Sequence, residues 1–387
     1  KKMIQLDGGN GIGLGEIRSG LSINYIDEIS IPAVSIELVI NKFSYAADTT
    51  ITNITGGENI STFLQTIHSK YTLIDLHNDV LEVMIGDPNY HLADLHNYNH
   101  TDIPRLQQGG VDIQFFSIWV SPTEYTNYFN QALVMRDLFY SELAANTITI
   151  EQATTINQAL EINEQNKIAA VIGVEGGHHI EESIDKLVQL YNAGMRYLTI
   201  TWNNSISWAI SAADSRTTTQ GLNSFGRQVI RTLDSLGVII DVSHTGIKTI
   251  QDILQETNNP IVATHSGARS IKNHTRNLYD WQIQDIANSG GVVGIVFYPP
   301  FLTSNPPADI SDVIQHVDHI VNLVGVDYVA IGSDFDGIGT NVVLGLEDVS
   351  KYPDLTLALL EHGYTEQEVA KFLGGNFKRV FEEVCGN

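Results

Sequence analysis

A chain of 387 residues, 43% apolar and 17% charged, can bury a sizeable core and does not have the composition of a disordered protein. Its net charge of −24 argues against a nucleic-acid partner, which calls for a basic patch, and no apolar run approaches the roughly 18 residues of a membrane span. The single cysteine, Cys385, rules out an internal disulfide and a cysteine-rich zinc site, so any metal must sit on His, Asp and Glu.

The first 57 residues are glycine-rich at Gly8, Gly9, Gly11, Gly13 and Gly15, then strand-like through 21–31, 34–43 and 49–54, with Pro32 and Gly56-Gly57 as punctuation. They are expected to form a β-rich N-terminal extension (1–57) to a main domain (58–387). Two roles are open for it: a small add-on packed on that domain, or an element for assembly or surface attachment, since an exposed strand can pair with another chain. The residues from Lys1 onward do not read as a secretory leader, and a cleaved one leaves no trace.

From about residue 72 short apolar runs alternate with helix-period segments. Strands are predicted at 72–77, 111–118, 168–174, 196–201, 237–243, 260–264, 291–296 and 327–333, with helices at 129–145, 181–193, 222–235, 246–256, 309–323 and 365–384. Eight strands, each followed by a helix or a long loop, point to an α/β chain folded as a (β/α)8 TIM-type barrel. An open doubly wound sheet would need a glycine-rich first turn, and the first strand runs instead into His77-Asn78-Asp79.

Barrel enzymes place their chemistry at the carboxyl ends of strands. There the sequence puts His77 and Asp79, Glu175, Ser243-His244, Thr264-His265, Phe297-Tyr298 and Ser333-Asp334. His77 and Asp79 are two apart, so on an extended segment they share a face. Imidazoles and carboxylates suit Zn²⁺, with Mn²⁺, Co²⁺ or Fe²⁺ as alternatives. A two-metal site needs a bridging ligand, and a carboxylate can bridge where a neutral imidazole cannot; Glu175 is the candidate, with His244 and His265 completing the second ion. Taken singly, each residue could have an ordinary role, such as that of a satisfied core histidine. Taken together, several ionisable groups buried at strand ends cost several kcal/mol each without partners, and a shared cation removes that cost. The other histidines read as ordinary: His178 and His179 as supporting or loop residues, His91, His96 and His100 as solvated, and His316, His319 and His362 as exposed or capping.

From about Ser61 to Val384 the chain resembles the membrane (renal) dipeptidase family, zinc peptidase family M19, which is amidohydrolase-like. The resemblance rests on IDLHNDVL at 74–81, GGVDIQFFSIW at 109–119, VIGVEGGHHI at 171–180 and GVIIDVSH at 237–244, followed by THSGARSIKNHTRN at 264–277, AIGSDFDGI at 330–338 and GLEDVSKYPDL at 345–355. It implies a (β/α)8 barrel holding two Zn²⁺, the first on His77 and Asp79, the second on His244 and His265, bridged by Glu175. It further implies that Asp334 contacts the nucleophilic water and moves protons, that Arg276 holds the substrate carboxylate, and that Tyr298 lines the pocket. One position departs from the family pattern. Where a substrate-binding histidine is expected after the fourth strand, the chain reads Thr201-Trp202-Asn203-Asn204. Trp202 donates one N–H and does not titrate, so Trp202, Asn203 or Asn204 is expected to take over part of that role, or the specificity differs, or activity is reduced.

The expected activity is therefore hydrolysis of a dipeptide by a binuclear zinc site. The alternatives are a related amidase acting on another small amide or N-acyl amino acid, and an assembly protein that reuses the barrel. A small dipeptide or amide substrate and a homo-oligomer, formed through residues 1–57 or otherwise, are the expected partners. Abundant Asn and Thr with little Lys favours an extracellular, periplasmic or secreted protein over a cytoplasmic one.

Overall fold

The computed structural model describes Lys2–Met3, Glu16–Ile17, residues 66–67 and residues 70–386. The chain forms two units, Lys1–Thr66 and Ile67–Asn387. In the first, Lys2–Met3 pairs antiparallel with Glu16–Ile17. The strand-like stretches expected at 21–31, 34–43 and 49–54, and the expected boundary at 57, lie outside the described residues.

Among its described residues the second unit has nine strands: β1 Ile74–Asp75, β2 Ile113–Ile118, β3 Ile150–Gln152, β4 Ile168–Glu175, β5 Met195–Thr199, β6 Ile239–Asp241, β7 Ile261–Ser266, β8 Val293–Ile295 and β9 Val329–Ile331. All their pairings are parallel. Eight strands run in the order β2-β1-β9-β8-β7-β6-β5-β4, and β4 returns to pair with β2, which closes the barrel. The remaining strand, β3, lies outside the ring and pairs only with the start of β4, Ile150 opposite Ile168. No strand is predicted there, because three residues between two helical segments give too little alternation to read. β2 and β4 are buried at every position. That is why both read as continuous apolar runs, as strands covered on both faces do.

The helices have legible ends. Ser224–Leu236 starts at Asn223, whose side chain accepts from Gly226 N, and stops at Gly237, where φ is 68°. The single helix expected over 365–384 is instead three pieces: Glu366–Ala370, a π turn at Lys371–Gly375, and Asn376–Cys385. The turn sets Gly374 against the Thr72 carbonyl, where a Cβ would not fit. In the last piece Phe377 and Phe381 pack on Phe115, with ring centroids 5.2 and 5.5 Å apart. A Cβ on Gly237 would meet Val384 O at 2.8 Å. Thr72 and Gly237 precede β1 and β6, so this helix covers the amino ends of the strands and leaves the carboxyl ends for chemistry. Among the described residues no helix is long and apolar enough to cross a membrane.

Candidate metal centre and active site

All five residues expected to ligate metal, and Asp334, converge at the carboxyl mouth. His77 and Asp79 follow β1, Glu175 ends β4, His244 follows β6, His265 lies in β7 and Asp334 follows β9. Two of the loops are laced together: Asp79 N donates to Phe335 O at 2.9 Å and Asp334 N to His77 O at 3.2 Å. His244 and Asp334 sit in the left-handed region, at φ 63° and 62°. Non-glycine residues rarely adopt it, and such conformations gather at functional sites.

Glu175 divides the cluster in two. His77 Nε2 stands 3.4 Å from Asp79 Oδ2 and 3.6 Å from Glu175 Oε2. The other carboxylate oxygen, Oε1, lies 2.9 Å from His244 Nε2 and 3.3 Å from His265 Nε2. Asp334 Oδ1 is 3.9 Å from His77 Nε2. Donor atoms held about 2.0–2.1 Å from one tetrahedral ion stand roughly 3.4 Å from each other. The spacing is thus that of ligands around two cations sharing Glu175. Two further observations fit: His77 Nε2 and Asp79 Oδ1 are buried with no hydrogen-bond partner, and the donor set of three imidazoles and two acids suits zinc.

The electrostatics agree with that fit. Burial pushes Glu175 upward, but His77, His244 and His265 outweigh it and hold the carboxyl well below its usual range. Burial, then the Arg276 charge, lowers His244 to about 4. Burial, then His77, keeps His265 well below the ordinary histidine range, so both imidazoles are in the neutral form a metal takes. Burial opposes a charge on His77, yet Asp79 and Glu175 raise it well above the ordinary value; a field that retains a proton also favours a cation. Burial and then Asp79 raise Asp334 well above the carboxylate range.

Each ligating imidazole is fixed through its other nitrogen. His77 Nδ1 is 2.8 Å from Tyr197 OH, His244 Nδ1 is 2.9 Å from Asn203 Oδ1, and His265 Nδ1 is 2.9 Å from Thr264 Oγ1. Such partners set the tautomer and ring orientation of a metal-binding histidine. Gly173 on β4 makes room for the first of them, because a Cβ there would fall inside the Tyr197 ring. A Cβ on Gly337 would fall on the Asp79 and Asp334 carboxylates.

Two acids not read from the sequence as site residues brace the loops. Asp75 accepts from Ser333 N at 2.9 Å, Ser333 Oγ at 2.7 Å, Tyr352 OH at 2.8 Å and Gln114 Nε2 at 3.0 Å. Asp241 accepts from Ser243 N and Thr264 N, both at 2.9 Å, from Thr264 Oγ1 at 2.7 Å and from Thr199 Oγ1 at 2.5 Å. The signal was present in the near-repeat IDLH at 74–77 and IDVSH at 240–244, an acid inside an apolar strand just before a ligand.

Arg276 is 5% exposed. Its Nη2 donates to His265 O at 3.2 Å while its Nε has no partner. Arg276 and His244 line one cavity with Asn277 and Tyr279. Trp202 is half-buried, its ring 6.2 Å from that of His244 and 4.9 Å from that of Trp119. Asn203, expected at the substrate, has its amide oxygen turned to His244. Tyr298 is half-buried, edge-on to Phe301 at 4.7 Å, and the Arg276 guanidinium lies over that same Phe301 ring at 5.5 Å.

Several of the remaining histidines depart from expectation. His100 is not solvated: it is buried, and its Nδ1 accepts from Asp336 N at 3.0 Å, which fixes the backbone two residues past Asp334. His316 is fully buried rather than exposed, accepting from Ala268 N at 2.9 Å and donating to Leu302 O at 3.0 Å. His178 and His179 take the first of their two expected roles, as supporting residues: both are buried just after Glu175, with His178 Nε2 at 2.9 Å from Val120 O. Such roles depend on contacts distant in sequence, which a local reading of polarity misses. His91 and His362 are exposed, with side-chain partners in Glu142 and Asp318.

Barrel and donor set together define a (β/α)8 metallohydrolase with a two-ion site. Residues 61–386 match the model of the membrane dipeptidase family, peptidase family M19, and the chain belongs to that family. It is 35% identical over 329 residues to Dipeptidase 3 of Homo sapiens, an alignment covering 83% of this chain and 66% of that protein's length. Among solved structures it is similar to the M19 metallopeptidase dipeptidase AC, at 27% identity and a TM-score of 0.77, covering 82% of this chain and 99% of the other. It is also similar to a metallopeptidase from Rhodobacter sphaeroides, solved with a phosphinate mimic of the dipeptide L-Ala-D-Ala, at 26% identity and a TM-score of 0.76, covering 81% and 99%.

Proposed function

We propose that the protein is a binuclear zinc dipeptidase. The observation that carries this reading is the split engagement of Glu175, one carboxylate oxygen facing His77 and the other facing His244 and His265. His77, Asp79 and Glu175 would hold one ion and Glu175, His244 and His265 the other. Bound zinc supplies an activated water and polarises the scissile carbonyl.

The chain's own residues do the rest. Asp334, at the mouth 3.9 Å from His77 Nε2, would act as the carboxylate, the form that bound cations favour over the protonated one set by burial and Asp79 alone; it takes the proton of the attacking water and returns it to the leaving amine. Arg276, buried with a free Nε, pairs with the C-terminal carboxylate in the bidentate manner guanidinium geometry favours. A carboxylate fixed so near the metal cluster limits the substrate to a short peptide. Asn203 holds the His244 ring, Trp202 lies beside that ring, and Tyr298 packs on the Phe301 ring that Arg276 also covers. The Rhodobacter sphaeroides relative, solved with a phosphinate dipeptide mimic, supports a dipeptide as the substrate class. The test is a dipeptide panel assayed with zinc-loaded and chelator-stripped protein. Turnover should vanish with the metal and return on its addition; turnover that survives full removal contradicts the scheme.

The Lys-poor composition and the unit at Lys1–Thr66 support an exported homo-oligomer in which that unit mediates assembly. Size-exclusion chromatography with and without residues 1–57 tests it, and an unchanged assembly state on truncation removes the support.

A further inference from the structure

We infer that Arg269 selects dipeptides whose C-terminal residue carries a second carboxylate, aspartyl or glutamyl. This rests on the dipeptidase reading above and specifies its substrate class.

The cavity beside His244 contains two guanidiniums, Arg276 and Arg269, in a chain with 21 Lys and Arg against 45 Asp and Glu. Neither makes an ion pair among the described residues. The acid in the same wall, Asp214, is already engaged by Arg216, with Nη2 to Oδ2 at 2.6 Å and Nε to Oδ1 at 2.9 Å. Asp334, Glu175 and Asp241 act on the Arg276 charge, whereas no acid pairs with Arg269 among the described residues, so Arg269 is the cation in this wall left without an acidic partner.

Arg269 is built into place. Its backbone N donates to Leu278 O at 2.8 Å, and Ala268 bridges Leu278, so the segments carrying Arg269 and Arg276 run side by side. Its Nε donates to Asn273 Oδ1 at 2.9 Å, and its guanidinium lies over the Tyr279 ring at 4.5 Å. Both Nη groups are left without a protein acceptor among the described residues. A stacked, half-buried guanidinium with two idle donors is organised in advance for an oxoanion.

With the α-carboxylate on Arg276, the side chain of the C-terminal residue extends into the rest of this cavity. The remaining free charge there is Arg269. The rest of the wall mixes the neutral polar Thr217 and Gln282 with the apolar Val242, Ile247 and Leu278, so Arg269 is the group in it that tells a carboxylate from its amide. A charge-assisted bond distinguishes Asp or Glu from its amide counterpart by about tenfold.

The test uses zinc-loaded protein and phosphinate pseudodipeptides that differ only in a C-terminal Glu or Gln side chain, in both configurations, with affinity measured by calorimetry. The Glu compound should bind about tenfold tighter than the Gln compound in at least one configuration. Arg269→Gln should bring that ratio close to one, and Arg269→Lys should restore part of it. A wild-type ratio near one, or a ratio indifferent to Arg269→Gln, overturns the inference. Turnover of Ala-Ala is measured on the same samples. If it proceeds while the ratio is flat, only the Arg269 inference fails; if nothing is hydrolysed and no phosphinate binds, the dipeptidase reading fails with it.

Discussion

His244 Nε2 and His265 Nε2 face each other at 3.0 Å. His244 has its Nδ1 on the Asn203 amide oxygen, and His265 has its Nδ1 on a Thr264 hydroxyl whose own proton goes to Asp241. Both Nδ1 atoms must therefore be donors, which leaves a lone pair on each Nε2. Two lone pairs and the Glu175 carboxylate converge on one point and repel unless a cation sits among them. Zinc should accordingly stabilise the fold by mass action, by about 2.7 kcal/mol at a free concentration one hundred times Kd. A thermal melt with and without zinc checks this: Tm should rise for wild type and hardly move for Glu175→Ala.

Tyr197→Phe removes one hydroxyl, the partner of His77 Nδ1, and leaves the ring packed against Phe115 at 5.6 Å. Loss of such a partner lowers metal affinity by about 10–100-fold. A competition titration against a chelator should show one of the two zinc sites weakened and the melt of the metal-free protein little changed.

Asp241→Asn replaces an acceptor of four hydrogen bonds by a group that presents two donors of its own. The unmet backbone donors of Ser243 and Thr264 should cost about 1–3 kcal/mol, read from a denaturant melt. Because Thr264 also holds His265, zinc binding at the second position should weaken in the same variant.

Arg276→Ala should lower kcat/KM for dipeptides by roughly 10–100-fold, mainly through KM, if the guanidinium binds ground state and transition state alike. Steady-state kinetics decides it, and an unchanged KM assigns the carboxylate to another group.

Asp112 gives a pH prediction away from the metal cluster. Burial raises its carboxyl to about 6, and the hydrogen bond from Leu73 N only partly offsets this. Its folded value lies above its unfolded one, so the folded state binds the extra proton and stability falls as pH rises from about 4 to about 6. Asp112→Asn keeps an acceptor for Leu73 and removes the titration. Relative to wild type it should gain roughly 1–3 kcal/mol between pH 4 and pH 7; equal differences at the two pH values contradict this.

Much of the barrel was legible because its strands are buried on both faces and end in polar residues, which is a local signal. His77, Asp79, Glu175, His244 and His265 stood out because a charged group rarely closes a buried apolar run unless a partner of opposite charge is near. What could not be read were contacts made across the barrel. Tyr197 looks like a core aromatic until the space above Gly173 puts its hydroxyl on His77. Asn203 sits where the family pattern suggests substrate contact, yet its oxygen is turned to a neighbouring loop. His100 reads as part of a polar loop and His316 as an exposed or capping helix position, yet both are buried, held by Asp336, 236 positions away, and Ala268, 48 positions away. The π turn at Lys371–Gly375 answers to a close approach at Thr72 that helix periodicity does not encode.

Everything about the chemistry depends on Glu175 bridging two cations. Anomalous diffraction at the zinc edge from zinc-loaded crystals reads this out. Two peaks about 3.5–4 Å apart are expected, one beside His77 and Asp79 and one beside His244 and His265, with Glu175 between them. A single peak, or peaks that leave Glu175 without contact to either, would contradict the bridge.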